Sequence, residues 1–268
     1  MIVADIFLYA LFAWYFGNIF PGEYGTSKPL YFFLQKSYWW EEEAEEKQEP
    51  LLRKQRGGKV GIEIENLSKT YSKGFCKSSF DVAALKELSL TINKSQIFGL
   101  LGSNGAGKTT TISLLTGLFP PSSGNAYMNG YSIRREMDRV RQSLGVCCQQ
   151  DVLFDHLNVE EHIKLFSYLR GEKEPQIDCR MREVGLKSET KFTLAKELSG
   201  GMKRKLCICL AFIGNPSIVF LDEPTSGVDP LSRKEMWSFF QRKKIGRTII
   251  LTTHVLSLFF KLKFRIFS

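Results

Sequence analysis

Hydrophobic and polar positions are arranged differently in successive parts of the chain. Residues 2–20 (IVADIFLYALFAWYFGNIF) are apolar almost throughout, with Asp5 as the one charge, and approach the ~20 residues a membrane-spanning helix needs. Trp14, Tyr15 and Phe20 crowd one end, as at a membrane interface. Neither a basic start nor a small-residue cleavage site accompanies the run, so a transmembrane helix fits better than a signal peptide or a buried core helix. Residues 21–58 are broken by Pro21, Gly22, Gly25 and Pro29 and carry an acidic run at 41–49, which predicts a linker ending near Lys59.

From residue 59 onward, short apolar runs alternate with helix-like periodicity. The sequence IEIE at 62–65 alternates as an edge strand does, and 89–92 predicts another short strand. Residues 97–101 (IFGLL) and 218–221 (IVFL) are apolar runs, and the second predicts a central strand buried on both faces. Residues 110–118 can continue as a helix, and 203–214 place Leu206, Leu210 and Ile213 at helical spacing after Ser199 as the N-terminal cap. Strands interleaved with helices predict an α/β domain.

Composition adds bounds. Apolar and charged fractions of 43% and 24% are ordinary for a globular core. The 268 residues suffice for one large α/β domain with additional segments, or for two small domains. The formal charge of +9 raises nucleic-acid binding, yet Lys203-Arg204-Lys205 and Arg242-Lys243-Lys244 are short runs without a zinc-finger or RNA-recognition pattern. A solvated basic surface is the simpler expectation, with no nucleic-acid partner. Cys76, Cys147, Cys148, Cys179, Cys207 and Cys209 form no C-x-x-C pair and no metal-ligand spacing with the histidines. They read as small apolar residues of a reducing compartment.

Candidate chemistry begins where the 97–101 run ends. Residues 100–111 (LLGSNGAGKTTT) fit G-x-x-x-x-G-K-[ST] from Gly102 to Thr109. Gly102, Gly105 and Gly107 lack a Cβ, so the backbone can approach an anion closely. The N–H groups of this loop, those of Ser103, Asn104 and Ala106 included, then turn toward phosphate oxygens, and the following helix adds its positive dipole end. Lys108 would carry a full charge to the β- and γ-phosphates, and the Thr109 hydroxyl would hold Mg²⁺. A glycine-rich turn with a surface lysine is the alternative; the strand, loop and helix order argues against it.

A second candidate lies at the end of the 218–221 run, where Asp222 and Glu223 occupy the C-terminal end of a buried strand, the end at which open parallel sheets bind ligands. Adjacent strand residues point to opposite sides, so the two acids should differ in role, one supporting a Mg²⁺ shell and the other polarising water. Ser199, Gly200 and Gly201 precede a helix and leave its backbone open to an anion.

These runs together resemble the nucleotide-binding domain of ATP-binding-cassette (ABC) transporters. GSNGAGKTT, from Gly102 to Thr110, is similar to Walker A, LSGGM to the signature motif, IVFLDEP to Walker B and SGVDP, with Asp229, to the D-loop. Gln149 matches the Q-loop glutamine, His254 the switch histidine and Tyr71 the aromatic that stacks on adenine. The resemblance implies an α/β P-loop NTPase fold over 59–254, with a mixed-sheet core, a helical subdomain at about 151–196 and one preceding transmembrane helix. It implies that Glu223 is the general base, with Asp222, Thr109 and Gln149 around Mg²⁺. Gln149 also couples to the membrane domain, and His254 contacts the γ-phosphate. Residues 102–110, Tyr71 and Asp229 serve ATP, while Ser199, Gly200 and Gly201 close over the nucleotide of a second cassette. His156 and His162 are expected on the surface of the helical subdomain.

FPGEYG, KSYWW, LTGLFPPSSG, QQDVLFDHLNVEEHI and LSGGMKRKL are similar to the A subfamily, whose members mostly export or flip lipids. In that family FPGEYG-like sequence follows the last helix of the first transmembrane domain, which adds to the membrane reading of 2–20. The resemblance implies an ATPase module, with ATP and Mg²⁺ as cofactors, powering transmembrane transport of lipid. Its partners would be a transmembrane domain and a second cassette, in a multi-pass membrane protein whose cassettes face the cytoplasm. The alternatives are a truncated form that binds nucleotide without turnover and a non-transport ABC ATPase. The chain departs from the family at 255–268 (VLSLFFKLKFRIFS), which holds no acidic residue. Residues 260–267 alternate like a strand but match no element of the family. A truncation, alternative splice or gene-model error is expected there, with an unpaired edge and an exposed apolar tail. The stretch between His162 and Leu198 is shorter than in the family.

Overall fold

The computed structural model describes residues 59–73, 80–103, 105–253 and 263–267, together with Phe12 and Tyr15. The chain forms two compact units, Met1–Pro50 with Lys73–Phe80, and Leu51–Ser72 with Asp81–Ser268. Phe12 and Tyr15, both helical, belong to the first. No helix among the described residues is long and apolar enough to cross a membrane. The rest of 2–20 and all of the linker at 21–58 lie outside them.

The second unit is built on two sheets. In the first, β1 (Val60–Lys73), β2 (Phe80–Asn93), β4 (Ser123–Met128) and β5 (Tyr131–Ser132) run in the order β2-β1-β4-β5. In the second, β3 (Gln96–Gly102), β6 (Leu144–Cys147), β7 (Ile218–Leu221), β8 (Thr248–Thr252) and β9 (Lys263–Phe267) run in the order β6-β7-β8-β3-β9, with parallel pairing throughout. The helices are α1 (Lys108–Leu115), α2 (Met137–Gln142), α3 (Val159–Leu169), α4 (Ile177–Val184), α5 (Gly200–Ala211) and α6 (Pro230–Lys243). Short 3₁₀ turns at Ser188–Phe192 and Ala195–Glu197 complete the described elements.

The runs at 97–101 in β3 and 218–221 in β7 are unbroken and apolar because each face buries a different core. Phe98, Leu100, Ile218, Phe220 and Ile250 pack on one face with Ile62, Ile64, Leu67 and the α1 residues Ile112, Leu114 and Leu115. Ile97, Val219, Leu221, Ile249 and Leu251 pack on the other with Leu206 and Leu210 of α5 and Phe239 and Phe240 of α6. Successive residues alternate between the two cores, as the twofold period of a strand requires. Burying one such side chain contributes about 1.5–3 kcal/mol. The expected central strand at 218–221 is β7, between β6 and β8 with all four residues buried.

Several expectations need correction. The alternating segment at 62–65 is not an edge: β1 lies between β2 and β4, with Ile62 opposite Met128 and Ile64 opposite Ala126. Alternation reports one buried face and leaves the strand's neighbours open. The strand at 89–92 extends to Phe80–Asn93, and the helix at 203–214 starts at Gly200. The tail does not leave β3 unpaired, since β9 pairs along it with Phe98 opposite Lys263 and Gly102 opposite Phe267.

Within 151–196, α3 begins in a reciprocal cap. The Asn158 side chain accepts from the Glu161 N–H at 2.9 Å, and the Glu161 carboxylate accepts from the Asn158 N–H at 2.8 Å. His156 is exposed as expected, but His162 is fully buried. Its Nε2 accepts from the Phe154 N–H at 2.9 Å, so Nδ1 carries the proton and donates to the Asn158 carbonyl at 2.8 Å. Both ring nitrogens are satisfied, which is what lets an imidazole enter the core.

Candidate functional site

Parallel pairing puts the carboxyl ends of all five strands of the second sheet on one edge. Cys147 stands opposite Leu221, Leu221 opposite Leu251 and Leu100 opposite Thr252. The residues that follow these ends, Gln149, Asp222, Glu223 and the loop from Gly102, therefore leave the sheet at one edge, with β8 between β7 and β3.

The loop after β3 has the backbone that its glycines foretold. Gly105 and Gly107 sit at φ +84° and +91°, in the left-handed region that favours glycine. A Cβ on Gly107 would come within 2.7 Å of the Ala84 carbonyl oxygen, whereas one on Gly105 would meet no atom within 4 Å. Gly107 is also the N-cap of α1, which has no side-chain cap and no acid in its first turn. Its first N–H groups and positive dipole end thus face the loop. Lys108, 7% exposed, donates from Nζ to the Gly102 and Ser103 carbonyls at 2.6 and 2.9 Å, which holds the ammonium at the mouth of the loop. Thr109 is exposed and Thr110 half-buried beside it. The Ala106 N–H donates to the Ser103 carbonyl at 3.2 Å, which closes the loop on itself. A tight glycine loop with an ammonium beside it and the first N–H groups of α1 behind it fits a phosphate chain.

Across the edge, Glu223 takes φ +48°, an uncommon conformation for a residue with a Cβ and one that recurs at functional sites. Thr252, fully buried at the end of β8, holds this corner. Its hydroxyl accepts from the Glu223 N–H at 2.9 Å and donates to the Asp222 carboxylate. The Asp222 N–H in turn donates to the Cys147 carbonyl at 2.8 Å.

A guanidinium lies beneath these loops. Arg204 of α5 is 4% exposed. It donates to the carbonyls of Cys148 at 2.6 Å, Gln149 at 3.2 Å, Asp222 and Pro224 at 3.3 Å, and pairs with the Asp151 carboxylate at 3.1 Å. Its neighbour Lys205, also buried, reaches Glu235 at 3.1 Å. The basic run at 203–205 is thus not a solvated face, because two of its charges have internal partners. Thr252 and Arg204 were missed as site residues. The available signals were a hydroxyl ending an apolar strand run, and an arginine on the Leu206/Leu210 helix.

The remaining candidates are more scattered. Gln149 is exposed on the bend after β6. Ser199 caps α5, accepting from the Met202 N–H at 3.3 Å, and with Gly200 is exposed; a Cβ on Gly200 or Gly201 would meet open space. Among the described residues, this segment makes no hydrogen bond to the phosphate-type loop of its own chain. Tyr71 is half-buried, edge-on to Phe119 at 6.3 Å, with the Lys69 ammonium 5.3 Å from its ring. Burial lowers the Lys69 pKa. The Asp229 carboxylate caps α6 by accepting from the Ser232 N–H at 2.8 Å, and that bond holds its pKa below the ordinary range. His254 and Asn104 lie outside the described residues.

Burial pushes the Cys147 and Cys209 thiols up to about 12, and the Cys207 thiol further up. These groups stay protonated near neutrality and behave as small apolar residues.

With this geometry, the family model described as ABC transporter matches residues 85–226. The phospholipid-transporting ATPase ABCA3 of Homo sapiens is 42% identical over 272 residues, covering 95% of this chain and 16% of that protein. The retinal-specific phospholipid-transporting ATPase ABCA4 of Mus musculus is 41% identical over 284 residues, covering 95% and 12%. The chain thus spans 12–16% of the length of these relatives. Among solved structures, an ATP-binding subunit of an ABC transporter matches with TM-score 0.66 and 28% identity, over 77% of this chain and 85% of that one. A dimeric ATP-binding cassette in a post-hydrolysis state, bound to ADP and Pi, matches with TM-score 0.67 and 22% identity over 74% and 89%.

Proposed function

The chain belongs to the ABC transporter family, and from that premise we propose that it is an ATP-hydrolysing module that drives lipid transport in a longer membrane protein. The observation that carries this reading is the shared sheet edge, which the left-handed glycine loop and Lys108 leave one strand away from Asp222 and Glu223, across β8. The relatives named as phospholipid-transporting ATPases support lipid as the cargo.

In this reading the N–H groups of 102–107 and the first turn of α1 bind the β- and γ-phosphates, and Lys108 turns from its carbonyl partners to the phosphate oxygens. Tyr71 stacks on the adenine. Thr109, Gln149 and the Asp222 shell would hold Mg²⁺. Among the described residues no group of His, Cys, Asp and Glu holds a metal unaided. A hard cation completed by phosphate, hydroxyl and water suits that donor set. The bound ion would neutralise charge on the phosphates. Glu223 takes the proton of the attacking water, with its backbone held by Thr252. His254 contacts the γ-phosphate. Ser199–Gly201, with Ser199 and Gly200 exposed and no hydrogen bond to the chain's own loop among the described residues, closes over the nucleotide of a second cassette, and Asp229 approaches the same interface. The domain accordingly spans 59–254 with its helical part at 151–196, following a membrane helix at 2–20 and a linker at 21–58.

The test is to measure Mg-ATP binding and phosphate release with the intact chain and its Glu223→Gln variant. The variant should bind Mg-ATP as the parent does and release phosphate at least 100-fold more slowly. A parent that shows no Mg-ATP-dependent rise in melting temperature overturns the reading.

A further inference from the structure

We propose that Arg204 is a positioning residue that fixes Gln149 relative to the Asp222–Glu223 pair and thereby governs turnover rather than nucleotide affinity. The inference rests on the ATPase reading above.

Its basis is where the guanidinium donors go. A guanidinium offers five N–H donors in a rigid fork, and those of Arg204 are spent on two loops at once. On one side they reach the Cys148 and Gln149 carbonyls and the Asp151 carboxylate, which surround Gln149 in sequence. On the other they reach the Asp222 and Pro224 carbonyls, which flank Glu223. One rigid plane therefore bridges the backbones that carry the proposed metal-sensing amide and the proposed base. None of its bonds goes to the phosphate loop or to α1.

Burial gives the arrangement its stiffness. At 4% exposure Arg204 has little water to exchange with, and Asp151, with its side chain 26% exposed, supplies the counter-charge. Bonds to a buried charge are stronger than neutral ones and costly to leave unmade. A lysine would offer a point charge on one nitrogen and could not span both loops. Arg204 also lies one helical turn past Gly200 on α5, so motion of that helix end, where Ser199 and Gly200 are exposed, reaches both loops through this side chain. A partner engaging that end would thus reset the Gln149-to-Glu223 spacing.

A fold staple with no such role would lower stability without separating turnover from affinity. The experiment compares the intact chain with Arg204→Gln, Arg204→Lys and Asp151→Asn, the last serving where loss of the guanidinium prevents folding. Fluorescent-ATP affinity is read with and without Mg²⁺, alongside kcat, KM and Tm. In Arg204→Gln, metal-free ATP affinity should stay within about twofold of the parent, while kcat falls roughly 10- to 100-fold at little-changed KM, the scale of a small misplacement at a reacting centre. The tightening of ATP binding by Mg²⁺ should weaken in parallel. Arg204→Lys should recover only a minor part of kcat, and Asp151→Asn should show the same pattern more weakly. Variants that fold with parental kcat and parental Mg²⁺ response overturn the inference and leave the ATPase reading standing, as does a fall in affinity that accounts for all of the lost activity. A parent chain that neither binds nor hydrolyses Mg-ATP overturns both.

Discussion

Thr252 Oγ1 lies 2.9 Å from the backbone nitrogen of Glu223 and accepts a hydrogen bond from its N–H, at the point where Glu223 adopts φ +48°. The same hydroxyl donates to the Asp222 carboxylate, so one buried oxygen fixes the proposed base and its neighbour. Thr252→Val keeps the shape and removes both bonds. It should cost about 1–3 kcal/mol, seen as a fall in Tm of roughly 2–4 °C per kcal/mol, and reduce phosphate release at least tenfold. Thr252→Ser should restore both. Equal activity in the valine and serine variants would show that the hydroxyl is not needed.

Gly105 and Gly107 share a left-handed backbone but not their surroundings. Gly107→Ala drives a Cβ to 2.7 Å from the Ala84 carbonyl oxygen, whereas Gly105→Ala meets open space. Both changes carry strain of about 1 kcal/mol or more, and the collision adds to it at Gly107. Thermal melts should place Gly107→Ala clearly below Gly105→Ala, and titration with ATP should show the larger loss of affinity at Gly107.

His162 anchors the segment before α3 by accepting from the Phe154 N–H. His162→Phe fills similar space but leaves that donor and the Asn158 carbonyl without the ring. A loss of roughly 1–3 kcal/mol is expected. Hydrogen exchange at the Phe154 amide should quicken with it, while the phosphate loop keeps its protection. An unchanged amide rate would refute this anchoring role.

How much of this was legible depended on whether a residue's task fixes its type. Gly107 and the Ser199 cap were readable because a left-handed turn and an orphan N–H each demand particular chemistry. Residues 218–221 were readable because a strand buried on both faces favours an unbroken apolar run. Arg204 and His162 were not. A cation or imidazole in the sequence looks the same whether it meets water or a set of carbonyls, and those carbonyls come from distant loops. Thr252 was hidden for a related reason, since a threonine at a strand end satisfies strand propensity whatever its hydroxyl touches. The interior place of β1 and the pairing of β9 with β3 depend on partners far along the chain.

Cys147 and Cys209 are held protonated by burial, with pKa values of about 12. The unfolded chain releases these protons near the ordinary thiol value of about 8.5. Stability from them is therefore complete below that pH and falls as pH rises toward 12, by about 1.4 kcal/mol per thiol per pH unit. Denaturant titrations at pH 8 and pH 10 should show this loss, and a Cys147→Ala, Cys209→Ala pair should reduce it, with Cys207 keeping its own share. In the native chain at pH 8, maleimide should label the exposed Cys179 ahead of Cys148, whose thiol is raised by burial, and should leave Cys147, Cys207 and Cys209 unlabelled. Mass spectrometry of the peptides reads the order.

The strand that carries the phosphate-type loop, β3, is flanked by β8 and β9. Both partners are encoded about 150 residues downstream of it, and at ~5–20 residues per second a ribosome needs on the order of ten seconds or more to supply them. During that interval the apolar 97–101 run has no sheet to enter, although the helices of 151–211 can already form from local contacts. The phosphate-type loop is thus expected to assemble late in this domain's biogenesis, and the interval before it should be when the nascent chain is most exposed to aggregation and to chaperone capture.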